Sequence, residues 1–196
     1  MYSNINQYVA PLNPCLSRAE LELRNTMRLL WSQHVYWTRA AVIALINDSP
    51  DLEMVLARLL RNAPEMGDAL VPYYGKEAGD RYSELIKEHL VLAADLVKAA
   101  KAGDTKSFEA INKKWYANAD DIAEFLSMIN PFITKHEMQE MMYKHLELLT
   151  AVTTYLLEKN YTASINTFDL YELQALHMAD EISEAIVAQF SCPPCY

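Results

Sequence analysis

A chain that repeats itself at a fixed period must build one supersecondary unit several times, and here the period falls on histidine. His34, His89 and His145 lie 55 and 56 residues apart, and such a repeat sets the architecture before any local feature does. Steps of −7, −4, +4, +7 and +11 follow one face of an α-helix. Through His34 they meet Met27, Leu30, Thr38, Ala41 and Leu45. Through His89 they meet Tyr82, Leu85, Ala93, Leu96 and Ala100. Through His145 they meet Met138, Met141, Leu149, Val152 and Leu156. Each histidine therefore stands in the middle of an apolar stripe. A second segment follows each one by about 28 to 33 residues: Asn62-Ala63-Pro64-Glu65-Met66, Asn118-Ala119-Asp120-Asp121-Ile122 and Met178-Ala179-Asp180-Glu181-Ile182.

Helix signals subdivide the chain. Ser17 to Glu20 forms a capping box, which opens a first helix expected to reach about Ile46. Asn47-Asp48-Ser49-Pro50 reads as a turn, with Ser49 at the next N-cap and Pro50 at the first helical position. The second helix is expected to reach about Val71 with a kink at Pro64, and the third to cover about 76 to 101. Gly103-Asp104 stops the third and caps a fourth, which Asn130-Pro131 ends. Thr134 to Glu137 opens a fifth helix, ending near Lys159-Asn160, and a sixth runs from about Thr162 to Phe190. The expected fold is all-α: six long antiparallel helices, paired as three repeated αα-hairpins in an up-down bundle. Closure about a pseudo-threefold axis is favoured over an open array. Residues 1–16, with Pro11 and Pro14, read as an extended arm; 17–190 as one bundle domain; 191–196 as a tail.

Composition narrows the function. Only four glycines occur, at 67, 75, 79 and 103, too few for phosphate-cradling loops or hairpin-rich sheets. The net charge of −9, with no Lys/Arg cluster, argues against nucleic acid and anionic membrane surfaces as partners. The longest apolar run, Ala40 to Ile46, is far shorter than a spanning helix needs. The N-terminus is polar and does not read as a signal peptide. Cys15, Cys192 and Cys195 do not form a disulfide framework, and a reducing cytoplasm is the simplest expectation. The Cys192-x-x-Cys195 pair lacks the following helix that a thioredoxin-type thiol uses, so it reads as part of a tail.

Three inward histidines pose one chemical question. If the bundle closes, His34, His89 and His145 converge at one height and would offer three imidazoles to zinc or iron with a position left open. Glu65, Asp121 and Glu181, beside the apolar stripes, are candidates for further ligands or for acceptors behind the imidazoles. Set against this, duplication copies an inward histidine whether or not it acts, and each could simply serve a local hydrogen-bond network. The Glu-x-x-His pairs of di-iron bundles are absent: Gln174 precedes His177 and Ile86 precedes His89 at that spacing. His177 could join the site as a fourth imidazole but reads first as paired with an acid on its own helix; His136 reads as solvated and Asp95 as surface. Trp31, Trp37 and Trp115 are expected to bury large areas, and the nine methionines to fill core.

From Leu29 to Phe190 the chain resembles a family of small all-helical proteins of Gram-positive bacteria, some of them labelled acetylglutamate kinase. The resemblance is carried by Trp31-Ser32-Gln33-His34-Val35-Tyr36-Trp37-Thr38-Arg39, Ala102-Gly103-Asp104 and Trp115-Tyr116-Ala117-Asn118-Ala119-Asp120-Asp121-Ile122-Ala123. It implies an all-helical protein, brings no established activity and assigns no functional residues. An amino-acid kinase requires an α/β sheet and glycine-rich loops, so that label is rejected on composition. The pattern is also loosely similar to hemerythrin-like and ferritin-like bundles. Two functions are left open: a metal-binding bundle using His34, His89 and His145, or a non-catalytic interaction or scaffold protein; a metal-free homo-oligomer would favour the second, and a small-molecule pocket at the histidine layer is compatible with either. Enzymatic activity, substrate and small-molecule ligand are not specified by these residues.

Overall fold

The computed structural model describes residues 17–190. The expected arm 1–16, with Cys15, and the tail 191–196, with Cys192 and Cys195, lie outside the described residues. Within them the chain is all-helical: α1 Arg18–Asn47, α2 Leu52–Ala102, α3 Thr105–Ile129, α4 Lys135–Leu157 and α5 Tyr161–Phe190. Three of the caps are those expected. Ser17 and Glu20 close a reciprocal capping box on α1. Asp104 accepts from the Ser107 amide at 3.0 Å, and Thr134 accepts from the Glu137 amide at 3.2 Å. Each satisfies one N–H that the first helical turn leaves free.

Five helices stand where six were expected, because no loop separates residues 71 and 76. Helical structure continues through Pro64 and Pro72, and one residue inside α2, Gly75, leaves helical geometry at φ 81°, ψ 171°. L-residues rarely adopt that conformation and glycine adopts it freely. Around it, Gly67 and Gly79 approach so closely that a Cβ on Gly67 would lie 2.4 Å from the Gly79 carbonyl oxygen. Twelve residues of straight helix would span about 18 Å, so α2 folds back on itself at Gly75 into two arms. The break falls here and not at Pro64, which is exposed, where water can take over the carbonyl that proline leaves without a donor.

The start of α2 also differs. Asp51 is its N-cap, two residues after the expected Ser49. The Ser49 amide is engaged in closing α1, donating to the Ala44 carbonyl at 3.0 Å, while Asp48 takes the left-handed conformation at φ 52°.

Successive helices pack on one another and α5 returns to α1, so the elements form a closed circuit. Arg24 and Arg28 of α1 both pair with Asp180 of α5, at 3.1 and 2.5 Å. At one end, Asn130 donates to the Tyr74 hydroxyl and Tyr74 to Gln189, each at 2.9 Å, tying α3 and α5 to the residue before the fold of α2. The stripes predicted through the three histidines are the core. Only Ala100, Met141 and Leu156 of those positions fall short of full burial. No described helix is long and apolar enough to cross a membrane.

Candidate functional site

His34 comes from α1, His89 from the second arm of α2 and His145 from α4. All three are buried, at 1 to 3% exposure, and closure of the bundle brings them together. Ring centroids are 5.5 Å apart for His34 and His145, and 6.3 Å for each of the other pairs. One ring nitrogen of each lies within 4.8 Å of one on each of the others. This is the single group of three or more potential metal-ligating side chains among the described residues.

The partners behind the rings are amides, not acids. His34 Nδ1 meets Asn62 Oδ1 at 3.0 Å, His89 Nδ1 meets Asn118 Oδ1 at 3.0 Å, and His145 Nδ1 meets Gln174 Oε1 at 2.8 Å. The amide nitrogens then donate to Leu30, Leu85 and Met141 carbonyls, at 3.1, 3.1 and 3.0 Å. Each of those carbonyls sits four residues before its histidine, so one device occurs three times.

The device fixes protons. A backbone carbonyl only accepts, so it holds the amide NH2, and the amide oxygen must face the ring. Each Nδ1 therefore carries the hydrogen and donates it. The lone pair is left on Nε2, and the second partner has settled which nitrogen a metal would find. Burial also keeps the rings uncharged. It pushes His34 down to about 4, against the Asn62 hydrogen bond. It pushes His89 down to about 3, assisted by the nearby His34 and opposed by the Asn118 bond. His145 is lowered by burial first, then by His34 and His89, with the Gln174 bond acting the other way. At neutral pH all three are free bases, the form that ligates.

Aromatic rings enclose the cluster. Trp31 lies 5.5 Å from His34 and 5.9 Å from His145, and Trp115 lies 5.4 Å from His89. The Nε1 groups of both tryptophans are buried without an acceptor among the described residues. Tyr171 packs at 4.5 Å from His145, and its hydroxyl donates to His145 Nε2 at 3.0 Å.

The expected carboxylates are elsewhere. Glu65 pairs with Arg58 and Arg61, at 3.2 and 2.8 Å, and Asp121 and Glu181 are exposed. Glu181 instead faces His177 at 3.7 Å on its own helix, as expected of His177; His136 is exposed beside Glu140. These acids fail as partners because a carboxylate buried against a neutral imidazole would need a compensating positive charge, whereas an amide needs none. The third segment, expected at Met178, lies one helical turn earlier. The residue matching Asn62 and Asn118 is Gln174, so the matching run is Gln174-Ala175-Leu176-His177-Met178. A signal for it existed: each amide is followed by a fully buried alanine, Ala63, Ala119 and Ala175, and four residues on by buried Met66, Ile122 and Met178.

Comparison with protein-family models, with curated proteins and with solved structures finds no match to this chain.

Proposed function

We propose that the protein binds a transition-metal ion, zinc or iron, through Nε2 of His34, His89 and His145. The observation that carries this is the thrice-repeated histidine–amide–carbonyl chain. It leaves three neutral, unprotonated nitrogens gathered inside one bundle, with every Nδ1 already satisfied. We read the scaffold as three hairpins about that point: α1 with the first arm of α2, the second arm with α3, and α4 with α5. Bonds of 2.0–2.1 Å to a tetrahedral ion place ligand nitrogens about 3.3 Å apart. The present spacing of up to 4.8 Å closes to that by modest ring movements. Three imidazoles leave a coordination position for a further ligand. Such an open position is the requirement for Lewis-acid or redox work.

Mass spectrometry of the metal content of untagged protein tests the reading, before and after reconstitution with zinc and ferrous salts. One ion per chain, lost in His34→Ala, His89→Ala and His145→Ala alike, is the expected result. No ion in any preparation overturns it.

A second reading has its own support. Leu29, Tyr36 and Ile43 are exposed at seven-residue spacing along α1, an apolar ridge that a non-catalytic scaffold would use to meet a partner. In that case the histidines serve the core alone. A metal-free protein that self-associates, and becomes monomeric as Leu29→Lys/Ile43→Lys, is what this alternative expects.

A further inference from the structure

We infer that Tyr171 is the fourth protein ligand of this ion, and that its phenolate oxygen beside three neutral nitrogens makes the site one for ferric iron. The inference rests on the metal reading above and goes beyond it by naming an oxygen donor and an oxidation state.

Donor atoms bound to one small ion at about 2 Å lie about 3 Å from each other. The Tyr171 oxygen is already 3.0 Å from His145 Nε2, the nitrogen that the Gln174 contact leaves for a metal. The side chain is fully buried, so its hydroxyl has no access to bulk water and is held against the cluster.

Tyr171 stands three residues before Gln174. The matching places before Asn62 and Asn118 hold Leu59 and Trp115, neither of which carries an oxygen. The phenol is thus a single addition to a threefold scaffold, and it points its hydroxyl at a ligand nitrogen.

Ligation breaks the O–H bond of Tyr171 together with its hydrogen bond to His145 Nε2. It forms one metal–oxygen bond and frees Nε2 to form a metal–nitrogen bond, and the phenol proton leaves to solvent. No electron moves when the iron is supplied as ferric ion. Hard anionic oxygen and imidazole nitrogen together suit iron better than the thiolate-rich sets that softer ions take.

The test adds ferric citrate, or zinc chloride in parallel, to the full-length apoprotein and to Tyr171→Phe. Tyr82→Phe serves as control, because Tyr82 is an equally buried phenol with no hydrogen-bond partner among the described residues. Absorption, resonance Raman spectra and iron per chain are recorded together. The expected result is a visible phenolate-to-iron charge-transfer band in wild type and Tyr82→Phe. In Tyr171→Phe the band disappears and ferric affinity falls by at least about tenfold, while zinc is still bound. Iron bound without the band in wild type overturns the inference and leaves the three-histidine site standing. So does a band that survives in Tyr171→Phe, or a tighter zinc site there, which would make Tyr171 a cap. If no protein takes up either ion, the metal reading falls with it. Should Tyr171→Phe not fold, wild type grown with ring-deuterated tyrosine keeps the test decisive: the Raman bands shift if a tyrosine ligates and stay put if none does.

Discussion

The His145 corner of the cluster differs from the His34 and His89 corners in two ways. At His34 and His89 the partner is an asparagine, sealed at 0 and 2% exposure, and the ring hydrogen-bonds through Nδ1 alone. At His145 the partner is a half-buried glutamine, and Tyr171 reaches the other nitrogen. Gln174 also lines a cleft of about 660 Å³ between α4 and α5, with Met141, whose carbonyl takes its amide hydrogen. Two corners are thus closed copies of one structural device. The third is adjoined by a surface cleft, and a phenol hydroxyl reaches the other face of its ring.

Acid strikes all three corners and gives the largest expected effect. Each histidine is lowered in the folded protein, to about 4 and 3 for His34 and His89 and in the same direction for His145. The unfolded chain therefore binds protons first as pH falls below about 6.5. The stability these residues contribute is complete above that pH and is lost as pH falls from 6.5 through 4 towards 3. Urea unfolding at pH 7.5 and 5.0 should differ by several kcal/mol, and saturating metal should move the loss to lower pH.

The amides come next, and they separate the corners. Asn62→Leu and Asn118→Leu each strand a buried imidazole N–H and should cost roughly 2–4 kcal/mol by denaturant unfolding. Gln174→Leu should cost only about 1 kcal/mol, because water from the cleft can replace the amide. Equal losses at the three positions would erase the distinction. The smallest effect is that of Tyr171→Phe in metal-free protein, about 1 kcal/mol for one hydrogen bond. A larger loss would make Tyr171 a structural post.

Much of this is legible in the sequence. The stripes through the histidines follow from the helical period alone, which needs no knowledge of the facing partner, and so the core was found almost residue by residue. The amide partners were not, for a geometric reason. Moving the third segment by four residues, from Gln174 to Met178, keeps it on the same helix face, so periodicity tolerates the slip. Replacement of Asn by Gln then hides the identity that would have corrected it. The fold at Gly75 was missed because a reversal made by one residue leaves no loop-like run behind. Glu65, Asp121 and Glu181 attracted interest because carboxylates are the usual partners of ligating histidines. Burial, which favours an uncharged partner, decided against them.

Each ring carries its proton on Nδ1 and offers Nε2 inward. Long-range nitrogen–proton correlation NMR on protein labelled with ¹⁵N-histidine reads this out. At pH 7 His34, His89 and His145 are expected to be neutral Nδ1–H tautomers. On addition of zinc, only the Nε2 resonances should move strongly. Any of the three found as the Nε2–H tautomer, or as an imidazolium, would contradict that assignment.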